Sequence, residues 1–373
     1  MAYVISTATG FPSTYYPQEV LATVLRKYCM TMLLEFDLDQ IDRFFNSVQI
    51  KGRYFALPLD SFYDPPGYGT TAPAAITAAV DLCETTVTTL LERALVNPKD
   101  ISQIFSTSLT IAIPSLDVRL MNRLPFPENL KRSPLGGIGC LGGALGLARM
   151  AEHLRGHPQE AAIFMAVELA SALWQGSLQG DLHSMISRLP NEPSMYGEII
   201  STLVTAALFG DGSAAVLMVG REHPLAKPGL PQIIDSRSML IPNSEHLMGM
   251  EVVDTGMRNI LRPQVGEFVK IGVRKAVDGL LADHNLSLDQ ISRWIVHPGG
   301  PKVIQAIEEE FGLEPHVLQL SRDTLEKVGN LSSPTVLYML DATMAGEQPP
   351  PGSYGLLIGM GPGFSQEALL LQW

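Results

Sequence analysis

Three short segments carry residue types that could act together in covalent acyl transfer. In the first, PLGGIGCLGGALGLARMAEHLRG, Cys140 follows a glycine-rich turn and heads an apolar helix of small residues. A thiol placed there feels the positive end of the helix dipole, which favours the thiolate, and has backbone N–H groups nearby to bind an oxyanion. Nucleophilic catalysis needs that setting. Taken alone, Cys140 could as well be a small buried hydrophobe, the ordinary state of a free cysteine. Cys29 and Cys83 lack the setting and keep that reading.

The second segment, WIVHPGGPKVIQAIEEEFG, reads as a strand, a tight turn and an amphipathic helix, with His297 at the strand end. Ligands bind at strand ends in open α/β sheets. The glycines let backbone or substrate come close, and Pro301 can open the helix because its missing N–H is harmless there. The third segment, EKVGNLSSPTVLYMLDAT, is a Gly-Asn turn, then Ser332 and Ser333 as cap candidates, then an apolar helix. By itself Asn330 could be only a turn or capping residue. Brought together, a His297 close to Cys140 would form a thiolate and imidazolium pair, and the Asn330 amide could donate to an anionic oxygen without taking its proton.

Short apolar stretches bounded by turn residues predict buried strands at Ala161 to Glu168, Ala214 to Gly220, Arg293 to His297, Gly355 to Gly359 and Glu367 to Gln372. Helical patterns cover Pro73 to Ala94, with the proline at the first helical position, then Leu141 to Arg155, Val265 to Asp283 and Lys302 to Phe311. The alternation is that of βαβ units, so the fold is α/β. REHPLAKPGLP, Arg221 to Pro231, sets three prolines between a finished strand and the next apolar stretch and divides the chain into 1–221 and 222–373. Each part carries a strand, a functional-looking turn and a helix, which points to duplication. Gln175 to Glu198 is polar and Gly- and Pro-punctuated, and predicts a long loop or a short helical excursion.

Composition removes other classes. The chain has 373 residues, 46% hydrophobic and only 17% charged, the mark of a compact globular enzyme with a sizeable core. A formal net charge of -12 argues against a nucleic-acid surface. The start, MAYVISTATGFP, lacks the features of a signal peptide, and no apolar run reaches the roughly 20 residues that span a bilayer, so a cytoplasmic protein without membrane insertion is expected. Three cysteines without C-x-x-C spacing give neither a disulfide framework nor a structural zinc site.

Together the segments resemble the type III polyketide synthases, the chalcone-synthase-like family of the thiolase superfamily. The motifs are the G-C-x-x-G helix, F-G-D-G (Phe209 to Gly212), H-P-G-G-P (His297 to Pro301), G-N-x-S-S (Gly329 to Ser333) and the C-terminal GMGPGFSQEALLLQW, with Met360 in place of the usual aromatic. Their order and spacing match over nearly the whole chain. The resemblance implies a five-layered αβαβα thiolase-like fold from two pseudo-duplicated domains, a homodimer, and a reaction without metal or other cofactor. It makes Cys140 the carrier of the acyl starter, and His297 and Asn330 the residues that hold the malonyl thioester oxygen during decarboxylation. Phe209 becomes an aromatic gate, with plain core packing the alternative, and Asp211 a backbone-bonding residue. The runs Ser244 to Leu261, Val167 to Trp174 and Ser108 to Asp117 are similar to bacterial alkylpyrone and alkylresorcinol synthases, which implies a fatty acyl starter extended repeatedly with malonyl-CoA. By position Ile113, Ala170, Leu173, Met250, Asn259 and Ser332 become the cavity wall. Arg43 matches the family's CoA-binding basic residues, with Lys51, Arg53 and Lys302 as possible substitutes, so an acyl carrier protein could deliver the starter instead. A β-ketoacyl-carrier-protein synthase III is the alternative inside the superfamily; it usually has H-Q-A-N where this chain has H-P-G-G-P.

Overall fold

The computed structural model describes residues 1–31, 37–62, 67–110, 112–172, 181–253 and 256–373. In chain order the strands are β1 (Ala2–Gly10), β2 (Tyr15–Pro17), β3 (Gly52–Tyr54), β4 (Gln103–Thr107), β5 (Lys131–Leu135), β6 (Ala161–Glu168) and β7 (Gly212–Gly220). They continue with β8 (Gln232–Leu240), β9 (Met248–Val253), β10 (Gly256–Leu261), β11 (Ile291–Val296), β12 (Tyr354–Gly361) and β13 (Ser365–Gln372). The helices are α1 (Gln18–Thr31), α2 (Asp39–Ser47), α3 (Tyr68–Ala94), α4 (Leu116–Met121), α5 (Gly142–Gly156) and α6 (Asp181–Arg188). Then come α7 (Met195–Leu208), α8 (Val265–Asp283), α9 (Pro301–Phe311), α10 (Gln319–Val328) and α11 (Pro334–Ala345).

Among the described residues nine strands join in one mixed sheet, in the order β11-β12-β13-β8-β1-β7-β6-β4-β5. Outward from its centre the pairings repeat. β1 runs antiparallel to β7, β7 antiparallel to β6, and β6 parallel to β4. Likewise β8 runs antiparallel to β13, β13 antiparallel to β12, and β12 parallel to β11. The two halves meet through two residue pairs of β1 and β8, Ala2 with Ile233 and Tyr3 with Gln232.

Alternation along the strands sorts the side chains into layers. On β6, Ala162, Phe164 and Ala166 pack with α5 and α11, while Ala161, Ile163, Met165 and Val167 pack with α3 and α4. On β12, Leu357 joins the first group, while Leu356 and Ile358 pack with α8 and α9. The result is an αβαβα sandwich with α5 and α11 in the middle. Because both faces are covered, β6 and β7 are buried at every residue, which is why they read as continuous apolar runs. The middle layer matters most for function. α5 carries Cys140 at its head, and the turn ahead of α11 carries Asn330.

Ala161 to Glu168 and Val265 to Asp283 form as expected, and the other expected elements differ only at their ends. One boundary is corrected. α3 starts at Tyr68, so Pro73 lies inside the helix and not at its first position. In length and composition α3 could cross a membrane, yet Ala75, Ala79, Val80, Val87 and Leu90 bury it against the sheet as a core helix. Within the stretch read as a loop or helical excursion, α6 and the start of α7 are helical; 173–180 lie outside the described residues.

Candidate functional site

Cys140 sits in a tight helical turn, Gly139–Leu141, that runs straight into α5. The close approach of this turn to the Asn330 segment depends on Gly143, where a Cβ would lie 2.2 Å from the Ser333 carbonyl oxygen. Cys140 Sγ lies 3.3 Å from Ser332 Oγ. Ser332 is held in a left-handed conformation, φ 59°, in a turn closed by its N–H donating to Asn330 Oδ1 at 2.7 Å. Thr335 Oγ1 lies 3.4 Å from the same oxygen and donates at 2.8 Å to the Ser332 carbonyl, which holds the turn further. With Oδ1 tied down, the Asn330 amide group is left as the donor. Its partner is the Gly299 carbonyl at a long 3.4 Å, which links it to the turn after His297.

His297 extends β11, its N–H donating to the Ile358 carbonyl at 2.9 Å, and its side chain is buried. Neither ring nitrogen has a hydrogen-bond partner among the described residues. The expected thiolate and imidazolium pair is therefore not formed. Burial pushes the Cys140 thiol up to about 12, the Ser332 hydrogen bond opposing and the Glu168 carboxylate adding to it. Burial likewise pulls His297 down to about 4. Burial thus favours the thiol and the neutral imidazole, and the helix terminus and an incoming thioester would favour deprotonation against this background.

The depressed His297 value has a checkable sign. Between about 4 and the ordinary 6.5 the unfolded chain binds the proton that the folded chain refuses, so folded-state stability rises with pH across that window. From pH 7 to pH 5 wild type should lose on the order of 2 kcal/mol more stability than His297→Gln, measured by denaturant titration. Equal losses would mean that the ring is charged or solvated.

An open cavity reaches Cys140 and Ser332. Ala170, Met250 and Asn259 line it as expected, and so does Phe209. Asn259 also donates to Thr205 Oγ1 at 2.8 Å and so fastens the β9-β10 hairpin to α7. His297 and Asn330 are not among the residues that line it. Ile113 is a correction: it is 92% exposed and does not line the cavity of its own chain, because the segment after β4 turns outward before α4. Leu173 lies outside the described residues.

Reasoning from the sequence missed Glu168. It ends the buried strand β6, lines the cavity, and accepts hydrogen bonds from Ser333 Oγ at 2.5 Å and Leu109 N at 2.8 Å. Burial raises it to about 7 against those two bonds. A carboxylate closing an otherwise all-apolar strand was the available signal. Met248, Met257, Leu109 and Thr71 were also missed as wall residues.

The basic residues divide. Arg43 pairs with Asp37 at 2.7 Å and Lys51 with Glu326 at 2.6 Å, both on the surface, where an ion pair holds weakly enough to yield to an anionic ligand. Lys302 is exposed in the first turn of α9. Arg53 is corrected. It is fully buried, with its guanidinium donating to the Phe209 carbonyl, and no phosphate can reach it. Asp211 is the backbone-bonding residue expected, accepting from Ala56 N at 2.7 Å and Ser171 N at 2.8 Å.

Among the described residues one group has metal-ligand spacing, His153, His157 and Glu160. It stands at the far end of α5 from Cys140. Its members already have partners, His153 Nε2 with Glu160 Oε2 at 2.7 Å and Lys131 Nζ with Glu160 Oε1 at 3.1 Å.

Residues 232–373 match the family profile of chalcone and stilbene synthases, C-terminal domain, and residues 52–191 that of FAE1/type III polyketide synthase-like proteins. A 1,3,6,8-tetrahydroxynaphthalene synthase of Streptomyces peucetius subsp. caesius is 34% identical over 99% of this chain and 93% of its own. A putative chalcone synthase of Bacillus subtilis is 31% identical over 100% of this chain and 99% of its own. Among solved structures, the 1,3,6,8-tetrahydroxynaphthalene synthase of Streptomyces coelicolor superposes with a TM-score of 0.86 at 24% identity, covering 100% of this chain and 99% of that one. A type III pentaketide synthase from Neurospora crassa gives 0.84 at 22% identity, covering 100% and 99%. At those identities the structural likeness shows the fold.

Proposed function

Since this chain belongs to the type III polyketide synthases, enzymes that condense malonyl-CoA units, we propose that Cys140 carries its acyl starter while His297 and Asn330 activate malonyl-CoA. One observation carries the assignment of roles. A buried thiol opening on the cavity stands 3.3 Å from Ser332, which the Asn330 side chain fixes, and the Asn330 amide reaches the turn after His297, a buried imidazole with no hydrogen-bond partner among the described residues.

On this reading Cys140 attacks the starter thioester. Its proton passes to His297, CoA leaves as the thiol, and the acyl group stays on sulfur. Malonyl-CoA then binds with its thioester oxygen toward the His297 N–H and the Asn330 amide. Loss of CO₂ leaves an enolate whose oxygen those donors stabilise. The enolate carbon attacks the carbonyl of the Cys140 thioester and expels the Cys140 thiolate, leaving the lengthened chain as a CoA thioester; the thiolate takes that chain back, with CoA leaving again, for the next round. Phe209 at the cavity wall serves as the gate. Arg43, Lys51 and Lys302 are the surface cations left for CoA phosphates, with starter delivery by CoA or by an acyl carrier protein both compatible.

The starter we propose is a long fatty acyl group, cyclised after extension to an alkylpyrone or alkylresorcinol. Met248, Met250, Met257, Leu109 and Ala170 offer the flexible apolar wall an alkyl chain needs. A second reading has its own support in the 34% identity to a tetrahydroxynaphthalene synthase. Turnover measured across acyl-CoA chain lengths, with malonyl-CoA alone as one arm, separates them. Long acyl chains should be preferred. Preference for short or aromatic starters, or full activity on malonyl-CoA alone, would overturn the alkyl reading. We also take the chain as two duplicated domains, 1–221 and 222–373, supported by the repeated strand pairings. As the family resemblance implies, we take it to be a homodimer, whose second copy would cover the exposed Ile113; light scattering should give twice 40.5 kDa, and a single-chain mass would contradict it.

A further inference from the structure

We propose that Arg53 is a positioning residue: from beneath the site it fixes the segment that carries Phe209 and, through that segment, sets the place of the Asn330 amide. The inference rests on the role given above to Asn330.

Arg53 belongs to the short strand β3 and is fully buried. An arginine taken out of water is costly unless its donors are used. Here one terminal nitrogen donates to the Phe209 carbonyl at 2.6 Å and Nε donates to Gln18 Oε1 at 3.1 Å, while the other terminal nitrogen is buried without a hydrogen-bond partner among the described residues. Gln18 in turn donates its amide to the Ala207 carbonyl at 2.7 Å. Arg53 and Gln18 thus hold two of the carbonyls that α7 leaves open at its C-terminal end, where a cation is also favoured by the helix dipole. The rings of Phe45 and Phe55 flank the guanidinium with centroids at 5.8 and 5.3 Å.

The connection to Asn330 is short. Asn330 N donates to the Leu208 carbonyl at 3.0 Å, and Gly210 N donates to the Asn330 carbonyl at 3.0 Å. Phe209, which Arg53 holds by its carbonyl, lies between those two residues. The stem of Arg53 presses on the same place from the other side. At Gly329, with φ 73°, a Cβ would lie 2.9 Å from Arg53 Cδ and 2.9 Å from the Leu208 carbonyl oxygen. A third tie runs alongside, where Asp211 N donates to the Tyr54 carbonyl at 2.9 Å. Burial lowers Arg53 to about 9, partly offset by Asp211, so the side chain remains a cation at neutral pH. Arg53 does not line the cavity.

Arg53→Met, of similar length but without donors, is compared with Arg53→Lys, Asn330→Asp and wild type. Two partial reactions are read separately, acylation of Cys140 by starter and decarboxylation of malonyl-CoA. Arg53→Met should lower kcat for decarboxylation by about 10- to 100-fold, the scale of a small misplacement of a catalytic group, with KM changed less and acylation within about twofold of wild type. Arg53→Lys should recover part of the loss. If both partial reactions fall together, or neither falls, the positioning role is wrong. Should Arg53→Met fail to fold, Gln18→Met, which removes only the second arm, decides by the same split at a smaller amplitude. If Asn330→Asp leaves decarboxylation intact, the role given to Asn330 fails and not the clamp alone.

Discussion

Cys140→Ala is expected to abolish starter uptake and product formation while malonyl-CoA is still decarboxylated. The nucleophile and the decarboxylating donors sit on different segments, the head of α5 for the first and the turns before α9 and α11 for the second. Removing the thiol therefore removes one partial reaction and spares the other. Ser332 Oγ, at 3.3 Å, cannot substitute, because a hydroxyl without an activating base is a far weaker nucleophile. Nor can the other cysteines. Burial pushes Cys29 to about 11 and Cys83 to about 12, and neither lines the cavity. Loss of a covalent nucleophile should lower condensation by about 10⁴-fold or more. The check is product yield by chromatography beside CO₂ release. Condensation surviving at a tenth of wild type would place the acyl group elsewhere.

Asn330→Asp is the second large effect and the sharper of the two. The carboxylate keeps an acceptor for Ser332 N, so the turn that holds Ser332 at φ 59° is retained. What disappears is the N–H donor, and a negative charge takes its place beside the developing enolate. Decarboxylation should fall by roughly 10²- to 10³-fold, the cost of one oxyanion donor, while Cys140 still takes up starter. Asn330→Ala should show the same split with added loss of stability, because Ser332 N loses its partner. Loss of acylation with decarboxylation intact would reverse the roles given to the two residues.

Much of this was legible because each residue proposed to react sits in a strand, turn and helix unit whose signals are local. Glycines before Cys140, H-P-G-G-P after β11 and G-N-x-S-S before α11 mark places where backbone comes close, and the structure brings those places together. The cavity wall was legible only in part, because it is assembled from segments distant in the chain. Even so, Met250 and Asn259 pair across β9 and β10, and the period of two puts Met248 and Met257 on the same face. Seeing the hairpin would have given all four. Ile113 failed for the opposite reason, since sequence position gave its segment but not the outward direction. Arg53 failed because K-G-R beside a short strand reads as a basic surface, and only the docking of β3 against α1 and α10 buries it. The expected ion pair of Cys140 and His297 failed on burial, which no spacing reveals.

The central claim is that Cys140 carries the growing chain. Incubating the enzyme with acyl-CoA, then digesting it and locating the added mass by tandem mass spectrometry, tests it directly. The account predicts the acyl group on the peptide containing Cys140, discharged when malonyl-CoA is added. An acyl group on Cys29, on Cys83 or on no cysteine, with product still forming, would contradict it.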